Sequence, residues 1–257
     1  MQKRYVFLIL SLFLFSLAYG QTKVTTDTTT KTIFAFGGEI NDIFINYVIG
    51  LTKKDSPKIC FIPAASGDNP YLITYWYELC SKLSVKPSVQ RVFVSSSEGS
   101  KSFEENLLQM DAIIVGGGNT LNMIAIFKAQ GIDTVLAKAY QKGIILAGGS
   151  AGSLCWFKHG LSDSRPQKLS IIECLGFINA SHCPHFSSEK SRKPLYEEAI
   201  LNHKLMPGYA CDDLAGMLFQ NGKFIKAVSL DKDNNVYYIS EKNGKIDEKK
   251  FEAEIIK

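Results

Sequence analysis

Short apolar runs that alternate with helix-like stretches constrain the fold of this 257-residue chain more than any other feature. Each run is long enough for a buried strand, and most end in glycine or other small residues. The predicted strands are Ile33–Phe36, Ile59–Ile62, Gln90–Val94, Ala112–Val115 and Ile144–Ala147. The predicted helices lie near residues 39–52, 70–84, 102–109, 119–141 and 151–158. This alternation predicts a mostly parallel sheet with helices on both faces, a three-layer α/β/α sandwich of the flavodoxin-like type.

The pattern changes after Cys155. A helix is predicted over residues 189–203 and several strands over 208–240. Asn221-Gly222 separates two short apolar runs, which is a strong signal for a two-residue β-hairpin. Neither an internal repeat nor a long linker is visible, so residues 33–257 are predicted to form a single domain.

Residues 148–152, Gly-Gly-Ser-Ala-Gly, follow the last strand of the predicted parallel sheet. They fit the G-x-S-x-G pattern, in which a serine lies on a sharp strand-to-helix turn that tolerates no bulk around it. The pattern predicts that Ser150 is a nucleophile near the N-terminus of a helix. A tight turn without chemistry is the alternative interpretation of the same five residues.

A serine nucleophile needs a histidine as its base. The chain has four, His159, His182, His185 and His203, and the rigid Pro184 directly before His185 is a sensible way to orient an imidazole. Three candidates for the orienting acid remain open from the residues alone, and they are Asp163, Asp212 and Asp213.

An oxyanion hole needs backbone N–H groups near the nucleophile. Ala151, directly after the serine, is predicted to supply one donor, and the glycine-rich stretch Gly116–Thr120 is predicted to supply the second. A phosphate-binding loop is the competing interpretation of that stretch. It is disfavoured, because the stretch lacks both the lysine of a P-loop and the spacing of G-x-G-x-x-G.

Three motifs in this order resemble the peptidase E and cyanophycinase family of serine peptidases: residues 115–120 (Val-Gly-Gly-Gly-Asn-Thr), residues 149–152 (Gly-Ser-Ala-Gly) and residues 184–186 (Pro-His-Phe). The resemblance spans roughly Ile33 to Val228. It implies a fold related to the class I glutamine amidotransferases, with serine in place of cysteine at the elbow. It also implies cofactor-independent cleavage, without a metal, of peptide or isopeptide bonds next to aspartate.

The resemblance further implies roles for individual residues. Ser150 is then the nucleophile, His185 the general base and Asp213 the acid, where the family often has glutamate. Gly118 and Ala151 form the oxyanion hole. Asn119 and Arg192 are the implied substrate-binding residues. Arg192 falls where peptidase E has an arginine that meets the substrate carboxylate, although an ordinary exposed helix charge is the alternative.

Residues 1–20 combine a basic start, a thirteen-residue apolar run and a small residue at Gly20. This is the pattern of a signal peptide cleaved near Gly20, and it predicts export to the periplasm or the extracellular space. The apolar run is shorter than the roughly 20 residues of a membrane span, so no stable membrane anchor is expected. Residues 21–32, rich in threonine, are predicted to be a flexible lead-in.

The net charge of +4 falls by two when Lys3 and Arg4 leave with the leader, and no basic run is interleaved with aromatic residues. Nucleic acid is therefore not an expected partner. A peptide substrate that contains aspartate is the expected partner, and a homodimer stays open. The six cysteines show no C-x-x-C spacing that would favour a metal site. A disulfide, for which Cys183 and Cys211 could be close enough, and buried free thiols both stay open.

Two other functions fit the same motifs. An α/β-hydrolase esterase would have the triad order Ser, acid, His, so Asp163 would be its acid. A binding protein of the same fold would keep the cleft but lack the chemistry. A secreted serine peptidase that forms an acyl-enzyme on Ser150 is the function that the sequence favours.

Overall fold

The computed structural model of the protein describes residues 29–257. The predicted leader, residues 1–20, and the first part of the threonine-rich segment lie outside the described residues. The strands are β1 (Thr32–Phe36), β2 (Lys58–Ile62), β3 (Lys86–Val89), β4 (Ala112–Val115), β5 (Ile145–Gly149), β6 (Phe157–Ser162), β7 (Ser170–Glu173), β8 (Ile178–Cys183), β9 (Gly208–Cys211), β10 (Ala215–Gln220), β11 (Lys223–Ser229), β12 (Val236–Lys242), β13 (Lys245–Phe251) and β14 (Ala253–Ile255).

The helices pack against the sheets that these strands form. They are α1 (Asp42–Thr52), α2 (Pro70–Cys80), α3 (Phe103–Leu107), α4 (Thr120–Gln130), α5 (Ile132–Gln141), α6 (Ala151–Leu154) and α7 (Arg192–Leu201), and a 3-10 turn covers Ala64–Ser66.

An eight-stranded sheet, in the order β14-β11-β10-β1-β5-β4-β2-β3, forms the centre of the fold. The five strands from β1 to β3 in this order run parallel, as predicted, and β10 joins them antiparallel to β1. Alternate strand residues face opposite layers, because side chains along a strand point to opposite faces. Phe34 packs in one apolar cluster with α1 and α2, whereas Ile33 packs in the other with α4 and α5. The mixed α/β fold with helices on both faces of a largely parallel sheet is confirmed.

A six-stranded sheet, in the order β13-β12-β9-β8-β6-β7, lies beside the first. It mixes parallel and antiparallel neighbours, and α7 packs on it through the buried side chains of Tyr196 and Ile200. The predicted hairpin at Asn221-Gly222 is confirmed, since both residues have positive φ (50° and 75°) and join β10 to β11.

Three sequence-based elements were wrong. The predicted strand Gln90–Val94 is a loop, in which the Asp68 carboxylate accepts hydrogen bonds from the N–H groups of Val92 and Phe93. The strand instead lies earlier, at β3, where Pro87 is tolerated because β3 is an edge strand.

The predicted helix 119–141 is two helices, because Gly131 has a φ of 71° and ends α4. The predicted helix 151–158 is only the four residues of α6, after which the chain enters β6.

All six cysteines are free and buried: Cys60, Cys80, Cys155, Cys174, Cys183 and Cys211. Cys183 and Cys211 therefore do not form the disulfide that the sequence left open. Burial raises the pKa of every one of these thiols, to about 11 for Cys60 and to about 12 for Cys80, Cys174 and Cys183. No helix within residues 29–257 has both the length and the apolar character needed to cross a membrane.

Candidate active site

The turn between β5 and α6 holds Ser150 in an unusual backbone conformation, with φ 52° and ψ −118°. Such a conformation in a residue with a side chain has a strain energy of about 1–3 kcal/mol, so the surroundings must hold it. Its carbonyl oxygen accepts hydrogen bonds from the N–H groups of Ser153 and Leu154, both at 3.0 Å, and its own N–H donates to the carbonyl of Phe36. The strained turn is thus tied both to its own helix and to β1.

Small residues flank the serine because backbone from neighbouring loops lies against them. A Cβ on Gly152 would collide with the carbonyl oxygen of Val115, and one on Gly149 would collide with the carbonyl oxygen of Gly38. The predicted need for small residues at this turn therefore has a steric cause. The helix that follows Ser150 gives little dipole stabilisation, because α6 has only four residues and supplies individual N–H groups rather than a long aligned helix.

The structure brings Ser150, His185 and Asp213 together. Ser150 Oγ lies 2.8 Å from His185 Nε2, and His185 Nδ1 lies 2.6 Å from Asp213 Oδ1. Because a carboxylate can only accept, Nδ1 carries the proton and Nε2 is left to accept the hydroxyl proton of Ser150. The three groups form one directed chain of hydrogen bonds, the arrangement that activates a serine.

The two sheets supply different members of this chain of hydrogen bonds. Ser150 follows β5 of the central sheet, whereas His185 follows β8 and Asp213 follows β9 of the second sheet. The loop after β1 joins them, because the N–H of Gly38 donates to the carbonyl of Asp213 at 3.0 Å. The site lies at the carboxyl ends of parallel strands, where ligands bind in α/β folds.

Asp212, the neighbouring acid, has a different task. It is buried, and its two carboxylate oxygens accept hydrogen bonds from the N–H groups of Ser187 and Asn235 at 3.1 and 2.8 Å. It thereby fastens the loop after His185 to the start of β12. Asp163, the third acid considered, is 3.7 Å from Arg192 and makes no contact with the imidazole of His185.

The two predicted oxyanion-hole donors are both placed for an incoming group. Gly118 has a φ of 131°, and a Cβ there would collide with the carbonyl oxygen of Ala65, so only glycine fits. Within residues 29–257, neither the N–H of Gly118 nor that of Ala151 donates to a protein acceptor. Both remain free for a negatively charged oxygen.

The two residues implied to bind substrate are already engaged in the fold. Asn119 caps α4, with its Oδ1 accepting from the N–H of Asn122 and its Nδ2 donating to the carbonyl of Ser164. Arg192 is 3% exposed, and its guanidinium donates to both carboxylate oxygens of Glu189 and to the carbonyl of Leu161. Arg192 is therefore not an exposed helix charge.

A second Ser–His pair lies behind the nucleophile. His182 Nε2 lies 2.9 Å from Ser153 Oγ, and His182 Nδ1 lies 3.0 Å from the carbonyl oxygen of Tyr209. Burial lowers the pKa of His182 to about 3, so this imidazole is neutral at ordinary pH. His182 is one of the histidines considered as a base from the sequence, but its buried partner, Ser153, which lies three residues after Ser150, was not singled out there.

The match to a known family covers this whole arrangement. The model of peptidase family S51 matches residues 35–227, a range that contains Ser150, His185 and Asp213. The chain belongs to peptidase family S51. This S51 protein is a serine-type peptidase. It is 38% identical over 205 residues, 77% of its own length and 87% of the relative's, to the uncharacterized peptidase YgaJ of Bacillus subtilis (strain 168).

Solved structures show the same fold at low sequence identity. A peptidase from an acI-B1 Actinobacterium superposes with a TM-score of 0.67 at 16% identity, over 88% of this S51 chain and 96% of that one. A candidate peptidase E from Listeria monocytogenes EGD-e superposes with a TM-score of 0.58 at 16% identity, over 79% of this chain and 100% of that one. The resemblance to peptidase E seen in the sequence is confirmed.

Proposed function

We propose that this serine peptidase cleaves amide bonds through an acyl-enzyme on Ser150. The observation that carries the proposal is the unbroken chain of hydrogen bonds from Ser150 through His185 to Asp213 at a strained elbow. Ser150 Oγ attacks the scissile carbonyl carbon while its proton moves to His185 Nε2. The carbonyl oxygen becomes negative and is bound by the N–H groups of Gly118 and Ala151.

The second half of the reaction uses the same groups. The imidazolium of His185 gives its proton to the leaving nitrogen, the carbon–nitrogen bond breaks, and an ester to Ser150 remains. Water then attacks the ester, His185 takes its proton, and the acid product leaves as the Ser150 oxygen is reprotonated. Asp213 balances the positive charge of the imidazolium in both halves.

The proposed substrates are peptide or isopeptide bonds next to aspartate, as in dipeptidase E or cyanophycinase. Arg192, at the position of the carboxylate-binding arginine of peptidase E, supports this specificity. Its guanidinium is 3% exposed and donates to Glu189 and to the carbonyl of Leu161, so this specificity requires Arg192 to exchange a protein partner for the substrate carboxylate. The leader-like residues 1–20 support export of residues 33–257 as one catalytic domain.

Covalent labelling tests the nucleophile without knowledge of the substrate. A fluorophosphonate is expected to modify Ser150 in the wild type, with mass spectrometry to identify the residue, and to leave Ser150→Ala unmodified. Ser153→Ala, three residues away, is the matched control and is expected to be labelled. Equal labelling of wild type and Ser150→Ala, or no labelling of the wild type, would contradict the proposal.

Hydrolysis then tests the bond. Asp-Leu and β-aspartyl-arginine are the substrates, and amine release is measured by chromatography. We expect Ser150→Ala to reduce turnover by about 10⁴-fold or more, because the triad acts as a unit. Turnover unchanged by that substitution would rule out the acyl-enzyme.

A further inference from the structure

A carboxylate that the mechanism does not use lies beside the nucleophile. A Cβ placed on Gly117 would be 3.2 Å from Glu39 Oε1, 3.4 Å from Glu39 Oε2 and 3.2 Å from Ser150 Cβ. The Glu39 carboxylate and the serine therefore border the same small space. The glycine at 117 keeps that space open, because any side chain there would fill it.

The backbone that carries Glu39 is held in register with the catalytic residues. The N–H groups of Gly37 and Gly38 donate to the carbonyls of Ala215 and Asp213, both at 3.0 Å. A Cβ on Gly38 would lie only 2.8 Å from the Asp213 carbonyl oxygen. On its other side, the segment leads into α1, which Asn41 caps. Glu39 is thus set in a loop that is packed against the elements that bear Asp213 and Ser150.

This carboxylate has no assigned partner in the protein. Glu39 is exposed, and within residues 29–257 its side chain makes no hydrogen bond or ion pair. Every other charged group of the site is engaged: Asp213 with His185, Asp212 with backbone N–H groups, and Arg192 with Glu189. Glu39 gives the mouth of the site an uncompensated negative charge.

An uncompensated carboxylate here opposes the reaction. The substrate's carbonyl oxygen becomes negative during attack, and a second negative charge close by repels it. A cation on the substrate removes that repulsion and gains an attraction. The same residue then selects against neutral substrates and for charged ones.

We propose that Glu39 binds a positively charged group of the substrate, an ammonium or a guanidinium, next to the scissile amide. This inference rests on the proposed function of Ser150. The cation has two sources: the free α-amino group of the residue that acylates Ser150, or a basic side chain on the leaving residue. With Arg192 for a carboxylate and Glu39 for a cation, the site would match a zwitterionic or mixed-charge substrate.

Labelling rates test the charge preference without a known substrate. Two fluorophosphonates of equal length are compared, one ending in an ammonium and one in a methyl group. The wild type is expected to react faster with the cationic reagent by about 10-fold or more, and Glu39→Gln is expected to lose this preference. Glu104→Gln, which removes one negative charge on α3, is the matched control and is expected to keep it.

Substrate pairs identify the source of the cation. Asp-Leu is compared with N-acetyl-Asp-Leu, and β-aspartyl-arginine with β-aspartyl-citrulline. Glu39→Gln is expected to lower kcat/KM by about 10- to 100-fold for the charged member of the relevant pair only, with partial recovery in Glu39→Asp. Sensitivity in the first pair assigns the α-amino group, and sensitivity in the second assigns the side chain.

Two results would overturn the inference. Equal rates for the two phosphonates with the wild type, or an equal loss for both in Glu39→Gln, would show that Glu39 does not read charge. A wild type in which neither reagent labels Ser150 contradicts the proposed function itself, and the inference falls with it.

Discussion

Two Ser–His pairs stand within a few residues of each other, and only one is built to react. The distances are nearly equal, 2.8 Å from Ser150 Oγ to His185 Nε2 and 2.9 Å from Ser153 Oγ to His182 Nε2. A histidine within hydrogen-bond reach of a serine is therefore not enough to define a catalytic pair.

The pairs differ in what lies behind the imidazole. Nδ1 of His185 meets the Asp213 carboxylate, whereas Nδ1 of His182 meets the neutral carbonyl of Tyr209. Both acceptors select the same tautomer, but only the carboxylate balances the positive charge that a base acquires. His182 is also buried and stacks on Phe157 at 4.5 Å between ring centroids, so protonation there is unfavourable. The catalytic pair thus differs from the structural one in two ways: a carboxylate binds Nδ1 of His185, and the imidazole of His182 is fully buried.

We call Ser150 and His185 the outer pair and Ser153 and His182 the inner pair. The largest expected effect comes from making the outer pair resemble the inner one. Asp213→Asn replaces the carboxylate by a neutral amide and is expected to reduce kcat by about 10⁴-fold. Steady-state hydrolysis of Asp-Leu measures the loss. Asp163→Asn is the control, because that acid contacts Arg192 and not His185.

The same pair of variants separates two classes of enzyme. An α/β-hydrolase arrangement would make Asp163→Asn the inactive variant and leave Asp213→Asn active. That result would contradict the triad described above.

The inner pair is expected to weaken the fold in acid. The pKa of His182 is about 3 in the folded protein, against 6.5 for an unperturbed histidine. Below pH 6.5 the unfolded chain binds a proton that the folded one does not. The free energy of unfolding therefore decreases by about 1.4 kcal/mol for each unit by which the pH is lowered. From pH 8 to pH 4.5 the loss from this group is roughly 2–3 kcal/mol.

Urea unfolding of wild type and His182→Asn at several pH values isolates this contribution. The asparagine variant is expected to be less stable at pH 8, because it leaves a cavity beside Phe157, but to lose less stability in acid. Parallel curves for the two proteins would show that His182 does not titrate this way. If the variant does not fold, a wild-type free energy of unfolding that does not fall below pH 6.5 would give the same answer.

The smallest expected effect comes from Ser153→Ala. Ser153 has one hydroxyl proton and lies 2.8 Å from the Ser150 carbonyl oxygen and 2.9 Å from His182 Nε2. That carbonyl already has two N–H donors, so the proton is needed most by the imidazole. Its removal leaves a buried acceptor unpaired, which destabilises the protein by about 1–3 kcal/mol.

Activity separates the two roles of Ser153. Because its hydroxyl does not touch the reacting atoms, kcat is expected to change by less than about tenfold. Thermal unfolding and hydrolysis, measured on the same preparation, check both numbers. A loss of kcat comparable to that of Asp213→Asn would make the inner pair part of the catalytic machinery.

Much of the central sheet could be predicted from local pattern. The strand β4 has the bounds predicted for it, Ala112–Val115, because a strand buried on both faces is a continuous apolar run. The serine turn was recognisable because the G-x-S-x-G pattern is contiguous in the sequence, although the steric need for its small residues comes from neighbouring segments. His185 and Asp213 needed the family resemblance, because they come from separate strands of the second sheet.

The errors arose where tertiary contacts override local preference. The apolar stretch at 90–94 looked like a strand, but the buried carboxylate of Asp68 holds its backbone in a loop. Asn119 and Arg192 are not among these errors: both side chains have protein partners, and their roles as substrate ligands stay predictions. Glu39 drew no notice in the sequence, because only the packing of three glycine-rich loops brings it to the serine.

The six buried thiols can report local opening of the fold. A thiol reacts with alkylating agents through its thiolate, and burial raises the pKa of all six while shielding them from solvent. Each alkylation therefore records a moment when one part of the fold has opened. Cys80, on α2, and Cys183, at the end of β8, sit in different layers, so their relative labelling rates would rank the local stability of the two sheets.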